Sequence, residues 1–268
     1  MMYSIVMTSA TPEPLGLPSF VRGCFSEETF PADCFLEWAK GLTVGHLPQL
    51  DEAIQIVGEA GQLDSLRERV QQAHRTHHQD KDERVGDILT EAVALAWCRT
   101  LGHPDAVLSP PYQQGPDICI SQDAAMEVKA IHGPRSPSIS GSEQAEVLDV
   151  LTDLQGPPSP VPDSQDEYGS VRTITSWLDD GFWNKLTKHL DKANCQLAGF
   201  SDGTVLLHII RWEDPVQSLG SEERLGHVSN YLRRALQPRT NLARAVVIRN
   251  FEWRSWRTIA RDGTVSHA

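Results

Sequence analysis

Between Lys81 and Leu101, the residues Val85, Ile88, Leu89, Ala92, Val93, Ala96 and Trp97 recur at three- and four-residue intervals, and Gly102 follows at once. That spacing lays one apolar stripe along a helix, and glycine is the residue that most readily takes the left-handed conformation at a helix C-terminus. A stripe of this width has to be buried against another layer. The next segments supply that layer. Residues 107–112, 117–121 and 125–131 are short apolar runs separated by Gly, Pro and polar turns, which predicts three adjacent strands. Pro110 and Pro111 cannot donate to a central ladder, so the first strand lies at an edge, and Gln122-Asp123 turns the second strand into the third. Residues 177–197 are predicted helical. Residues 205–212 (Val-Leu-Leu-His-Ile-Ile-Arg-Trp) read as a strand buried on both faces. A helix over 221–236, with Ser221 as N-cap and Glu222 and Glu223 in its first turn, precedes one or two strands over 243–256. The expected class is α/β, a mixed sheet flanked by helices.

Ahead of this core, residues 1–80 read as a helical subdomain. It has a short helix over 30–42 with Phe35, Leu36, Trp38 and Ala39 as its apolar set, and two stretches over 50–57 and 63–73 interrupted at Gly58 and Gly61. The run His74-Arg75-Thr76-His77-His78-Gln79-Asp80 has metal-ligand spacings, but a metal site also needs supporting ligands, so it reads as solvated helix or connector. Residues 133–170 break the pattern with six prolines, many serines and seven acids. They read as a loop or disordered insertion, with a short helix over 142–154. Residues 81–212 then form the core and 213–268 a helix-and-strand extension.

With 268 residues, 40 % of them hydrophobic and 22 % charged, the chain has ordinary globular composition. No segment approaches the roughly 18 apolar residues of a membrane span. Met1 to Pro14 lacks the features of a signal peptide, and the five cysteines form no CxxC pair, so the chain reads as cytosolic with reduced thiols and no membrane partner. The net charge of −12 is unevenly spread. Residues 171–268 carry 14 basic and 10 acidic side chains and are the only net-basic third. A polyanion, if bound, is expected between the acidic centre and surfaces built from that third.

The acidic centre is Gly115-Pro116-Asp117-Ile118-Cys119-Ile120 followed by Glu127-Val128-Lys129. Strand side chains alternate, so Glu127 and Lys129 share one face while Met126, Val128 and Ala130 share the other. Two acids and a lysine on neighbouring strands suit phosphodiester hydrolysis, which needs a positioned water and neutralised phosphoryl charge. Magnesium prefers carboxylate, carbonyl and water oxygens, so Asp117, Glu127 and the Val128 carbonyl make a candidate ligand set, with Lys129 orienting or deprotonating the attacking water. The plainer alternative is a cross-strand charge pair between Glu127 and Lys129. Lys185, Lys188 and Lys192, spaced by three and four, read as a phosphate-contacting stripe or as a solvated helix face. His189 and Gln196 lie on the same helix as auxiliary candidates. Arg249, Arg254, Arg257 and Arg261, interleaved with Phe251, Trp253 and Trp256, suit either nucleic-acid contact or plain strand alternation. His208, inside the buried run, reads as a core histidine. With no glycine-rich phosphate loop of the GxxxxGK type, no nucleotide hydrolysis is expected.

These residues resemble the PD-(D/E)xK nuclease superfamily, the restriction-endonuclease-like fold. Its signature is matched by Pro116-Asp117, nine intervening residues and then Glu127-Val128-Lys129. The resemblance covers residues 82–212, about half the chain. It implies an αβββαβ core with the aspartate on the second strand, Glu-x-Lys on the third, and the proline-rich insertion between the third strand and the second helix. It also implies a supporting glutamate from the first helix. Glu91 matches that position, and Asp87, one turn earlier, is the competing choice. The implied activity is Mg²⁺-dependent endonucleolytic cleavage of double-stranded DNA, with Mn²⁺ able to substitute. Restriction or anti-phage defence is the implied setting, and a homodimer would let two sites cut two strands. Two alternatives keep the same residues: an RNA-cleaving toxin nuclease of this fold, and a catalytically inactive binding or scaffold member. The acidic first half and insertion point to a protein partner or regulator.

Overall fold

The computed structural model describes residues 16–25, 47–76, 81–110, 115–132, 180–210, 221–251 and 253–267. The helix expected over 30–42, the end of the polar run at 77–80 and the insertion 133–170 with its short helix lie outside these residues. So do the ends of the first and last core strands at 111–112 and 211–212. Seven strands form one sheet whose spatial order is the chain order. They are β1 (Val107–Leu108), β2 (Ile118–Cys119), β3 (Ala124–His132), β4 (Asp202–Ile210), β5 (Arg244–Arg249), β6 (Trp256–Ala260) and β7 (Val265–His267). Neighbours pair antiparallel except β3 with β4 and β4 with β5, which are parallel. The helices are α1 (Leu17–Cys24), α2 (Leu47–Glu59), α3 (Leu63–Thr76), α4 (Lys81–Thr100), α5 (Asp180–Gln196) and α6 (Ser221–Ala235). The molecule is mixed α/β with helices on both faces of a mixed sheet.

Parallel neighbours need a crossover, and α6 supplies it between β4 and β5 while α5 precedes β4. Strand alternation then sorts the core into two layers. Met126, Val128, Leu206, Val246 and Ile248 face α4 and the first three helices. Ala125, Ile131, Val205, Leu207, Ile209, Ala245 and Val247 face α5 and α6. β4 is the strand buried on both sides, and its unbroken apolar run is what that position demands. At the end of α4, Gly102 has φ +94; its N–H donates to the Arg99 carbonyl and the His103 N–H to the Cys98 carbonyl, which closes the helix in a Schellman turn.

The first helices share one buried layer with α4 and the sheet, through Phe20, Ile54, Val57, Leu66 and Val70. Three expectations need correction. Gly58 does not interrupt a helix: α2 runs through it, and the break falls at Gly61 with φ +68. α1 was not anticipated; its Pro18 sits in the first turn, where a missing N–H costs nothing, and Leu17 N–H donates to Asp51 Oδ1 at 2.6 Å. The C-terminal segment holds three strands, because Asn250 and Phe251 turn the chain with φ of 44 and 64 and the pairing resumes only at Trp256.

Candidate active site

β2 and β3 pair Ile118 with Met126 and Cys119 with Ala125, and continuing that register by one residue sets Asp117 opposite Glu127. Ile118, Met126 and Val128 are buried in the α4 layer, so alternation turns Asp117, Glu127 and Lys129 to the α5 side. Asp117 Oδ2 accepts the Val128 N–H at 2.7 Å. Within a strand the N–H and carbonyl of one residue point to the same edge, so the Val128 carbonyl is also directed toward Asp117. Lys129 Nζ donates to Glu127 Oε1 and, at 3.3 Å, to Gln196 Oε1 of α5. Gln196 Nε2 approaches the Gly115 carbonyl at 3.5 Å, tying the segment before Asp117 to the same helix.

Glu91 completes the cluster from α4. It is 7 % exposed and Glu127 is 0 % exposed, so both carboxyls are costly to ionise. Burial, reinforced by the Asp117 charge and opposed by Arg69, raises the Glu91 pKa to about 8. Burial, then Asp117, raises Glu127 to about 7 against the pull of Lys129. Each group therefore feels the others' charge, and the four expected residues converge. Of the two candidates on α4, Glu91 meets the carboxylates, while Asp87 acts on His189.

Such crowding is what a hard cation relieves, and the oxygen donors present suit magnesium. Glu127 Oε2 is buried and takes no hydrogen bond from an N–H or hydroxyl donor among the described residues; the group that acts on Glu127 there is the Asp117 carboxyl, and a cation would satisfy both. Among the described residues no group of three or more His, Cys, Asp or Glu side chains is arranged to hold a metal ion. Two of these carboxyls meet the protein's own cations: Glu127 Oε1 accepts from Lys129 Nζ, and Glu91 Oε2 accepts from Arg69 Nη1 at 2.5 Å.

On α5, Lys185, His189, Lys192 and Gln196 are spaced by four, three and four residues and so lie on one stripe. Gln196 touches Lys129, which orients that stripe toward the carboxylates. His189 is held neutral: burial first, then Lys129, Lys185 and Lys192, lower its pKa to about 4. Its Nε2 is buried without a partner. Lys188 is exposed about 60° around the helix from Lys185 and exerts no such pull. His208 is a saturated core histidine. Its Nε2 accepts the Phe251 N–H at 2.8 Å, so Nδ1 carries the proton toward Thr90 Oγ1, 2.7 Å away.

The C-terminal arginines are engaged internally. Arg254 Nε reaches Glu52 Oε2 at 2.9 Å, Arg257 reaches Glu222 at 3.0 Å, and Phe251 and Trp253 are buried. Sequence reading missed Arg69 on α3, whose guanidinium holds Glu91 and also donates from Nη2 to the Ser109 carbonyl. No protein-family model, curated protein or solved structure matches the chain. Among the described residues, no helix is long and apolar enough to cross a membrane.

Proposed function

We propose that the chain is a metal-dependent nuclease cleaving the phosphodiester backbone of DNA. The observation that carries this reading is the convergence of Glu91, Asp117, Glu127 and Lys129, with a buried Glu127 oxygen that takes no hydrogen bond from an N–H or hydroxyl donor among the described residues. The order α4, β1, β2, β3, α5, β4 supports it further. Asp117, Glu127, Glu91 and the Val128 carbonyl would hold Mg²⁺, and Mn²⁺ would serve in its place. When bound, the ion supplies neutralisation of phosphoryl charge and lowers the cost of forming the attacking hydroxide.

Lys129 has three N–H donors and gives two, to Glu127 Oε1 and Gln196 Oε1, which leaves one for the attacking water or a phosphoryl oxygen. Gln196 and Glu127 thereby fix where the ammonium points. Water oxygen adds to phosphorus as the bond to the leaving sugar oxygen breaks; one proton leaves the water and one reaches the departing oxygen. Lys185 and Lys192 extend positive charge outward from this point along α5, where the flanking phosphates would run. A Glu127–Lys129 charge pair along β3 that served only the fold would need neither Glu91 nor Asp117 beside it.

The test is direct. Wild type and Lys129→Ala are incubated with plasmid DNA, single-stranded DNA and tRNA in Mg²⁺, Mn²⁺ or EDTA. Metal-dependent cleavage of DNA, lost in the variant, is expected. Cleavage of tRNA alone would move the substrate to RNA, and no cleavage of any substrate by folded wild type would refute the proposal.

A further inference from the structure

We propose that Arg69 is a positioning residue of the carboxylate centre, through which the N-terminal helices orient Glu91 and Asp117 and so set the centre's affinity for a divalent cation. The inference rests on reading those carboxylates as cation ligands. Arg69 projects from α3, 22 residues before Glu91 and 40 before Ser109, and it joins both. One guanidinium thus spans α3, α4 and the end of β1. The Ser109 N–H in turn donates to the Asp117 carbonyl at 2.9 Å. Arg69 therefore touches Glu91 directly and reaches the backbone of Asp117 through a single residue.

Geometry distinguishes this from a surface ion pair. The Arg69 and Glu91 side chains are 12 % and 9 % exposed, so neither can turn to water when its partner is lost. A guanidinium presents its donors in a fixed plane, so fastening Nη2 to the Ser109 carbonyl dictates the direction from which Nη1 meets Glu91. Without it, the Glu91 side chain loses the donor that fixes its direction and can swing away from Asp117 and Glu127, which removes a cation ligand. The N-terminal helices place Arg69 by packing Leu66 and Val70 into the α4 layer.

Calcium binding to the full chain, measured by isothermal titration calorimetry at neutral pH, tests this without turnover. Groups that orient metal ligands typically govern affinity about 10- to 100-fold, and a loss in that range is expected for Arg69→Met. Arg69→Lys keeps the charge but cannot hold Glu91 and the Ser109 carbonyl together, so a smaller loss is expected. Glu91→Gln should also weaken binding, and adding Arg69→Met to it should weaken it by less than Arg69→Met does alone, because only the route through Ser109 to Asp117 is then left to lose. Wild-type or tighter affinity in Arg69→Met, or additive losses in the double variant, would overturn the role assigned to Arg69 while leaving the nuclease reading intact. Should Arg69→Met fail to fold by circular dichroism, Arg69→Lys decides, and undiminished affinity there overturns the inference. Absence of Ca²⁺ and Mn²⁺ binding in wild type would overturn the nuclease reading and this inference together.

Discussion

Glu127→Gln should stabilise the metal-free protein at alkaline pH and abolish cleavage at the same time. Glu127 is fully buried, and burial together with Asp117 lifts its pKa from 4.5 to about 7. The folded protein then holds this proton more tightly than the unfolded chain does. Between pH 4.5 and about 7 the native state carries the extra proton, so stability falls as pH rises through that window. Below the window both states are protonated and the cost is absent; above it the full cost persists. At about 1.4 kcal/mol per unit, ionised Glu127 costs about 3 kcal/mol at pH 8.5. Glutamine keeps the shape of the neutral acid and cannot ionise. Urea denaturation of both proteins in EDTA, at pH 4.5 and 8.5, should show the stability difference between them shifting by about 3 kcal/mol in favour of the variant. The Glu127 charge is one of the causes that raise Glu91, so the variant also eases ionisation of Glu91, which adds to the shift in the same direction. Calcium at pH 8.5 should restore wild type and leave the variant unchanged. A stability difference that stays constant across this pH range would refute the argument that Glu127 is held as a crowded, desolvated carboxyl.

Replacing Lys185 and Lys192 together by alanine should lower the slope of log affinity against log salt for duplex DNA by about 2, and Lys188→Ala should change it less; equal effects would place the stripe elsewhere. His208→Leu strands the Phe251 N–H in the core and leaves the Thr90 hydroxyl only its bond to the Gly86 carbonyl, and should cost about 2–3 kcal/mol by urea titration, with a loss under 1 kcal/mol counting against a structural role for these bonds. Gly102→Ala must adopt φ +94 and should cost about 1–2 kcal/mol, read from the same titration.

The sequence made the site more legible than its supports. Glu127 and Lys129 were readable as neighbours because a period of two fixes which strand residues share a face, whereas Glu91 came only from the resemblance, with Asp87 left open, since a helical stripe does not choose between acids one turn apart. α1 carries Leu17, Phe20, Val21 and Cys24 at helical spacing, but eight residues beginning beside Pro18 give a weak pattern. The β6–β7 hairpin closes through the three-residue loop Arg261-Asp262-Gly263, with Gly263 at φ +90 in the left-handed position such loops use. Gly58 looked like a break because glycine lowers helix propensity, yet burial of Ile54 and Val57 carries the helix past it. Arg69 left no local trace: its helix reads as an ordinary amphipathic one, and its partners lie 22 and 40 residues away.

Within the net-basic last third, the arginines and the α5 lysines differ in what a polyanion could reach. Arg239, Arg244, Arg249, Arg254 and Arg257 all sit within 4 Å of a carboxylate, on Asp191, Asp202, Glu222 or Glu52. Arg261 is drawn to the Thr240 carbonyl. These pairs fasten β5 and β6 to β4 and α6, the residues after α6 to α5 and, through Glu52, the C-terminal strands to the N-terminal helices, while Arg233 and Arg234 at the end of α6 are exposed. Lys185, Lys188 and Lys192 differ in being exposed on α5, the helix whose Gln196 meets Lys129. Counterion release depends on cations that can reach phosphate, not on net charge, so a chain at −12 can still present a cationic approach to its acidic centre. The reach of that approach is set by the α5 stripe: with a rise of about 1.5 Å per residue, Lys192 and Lys185 lie about 6 and 16 Å along the helix from Gln196, enough for several phosphates of one strand.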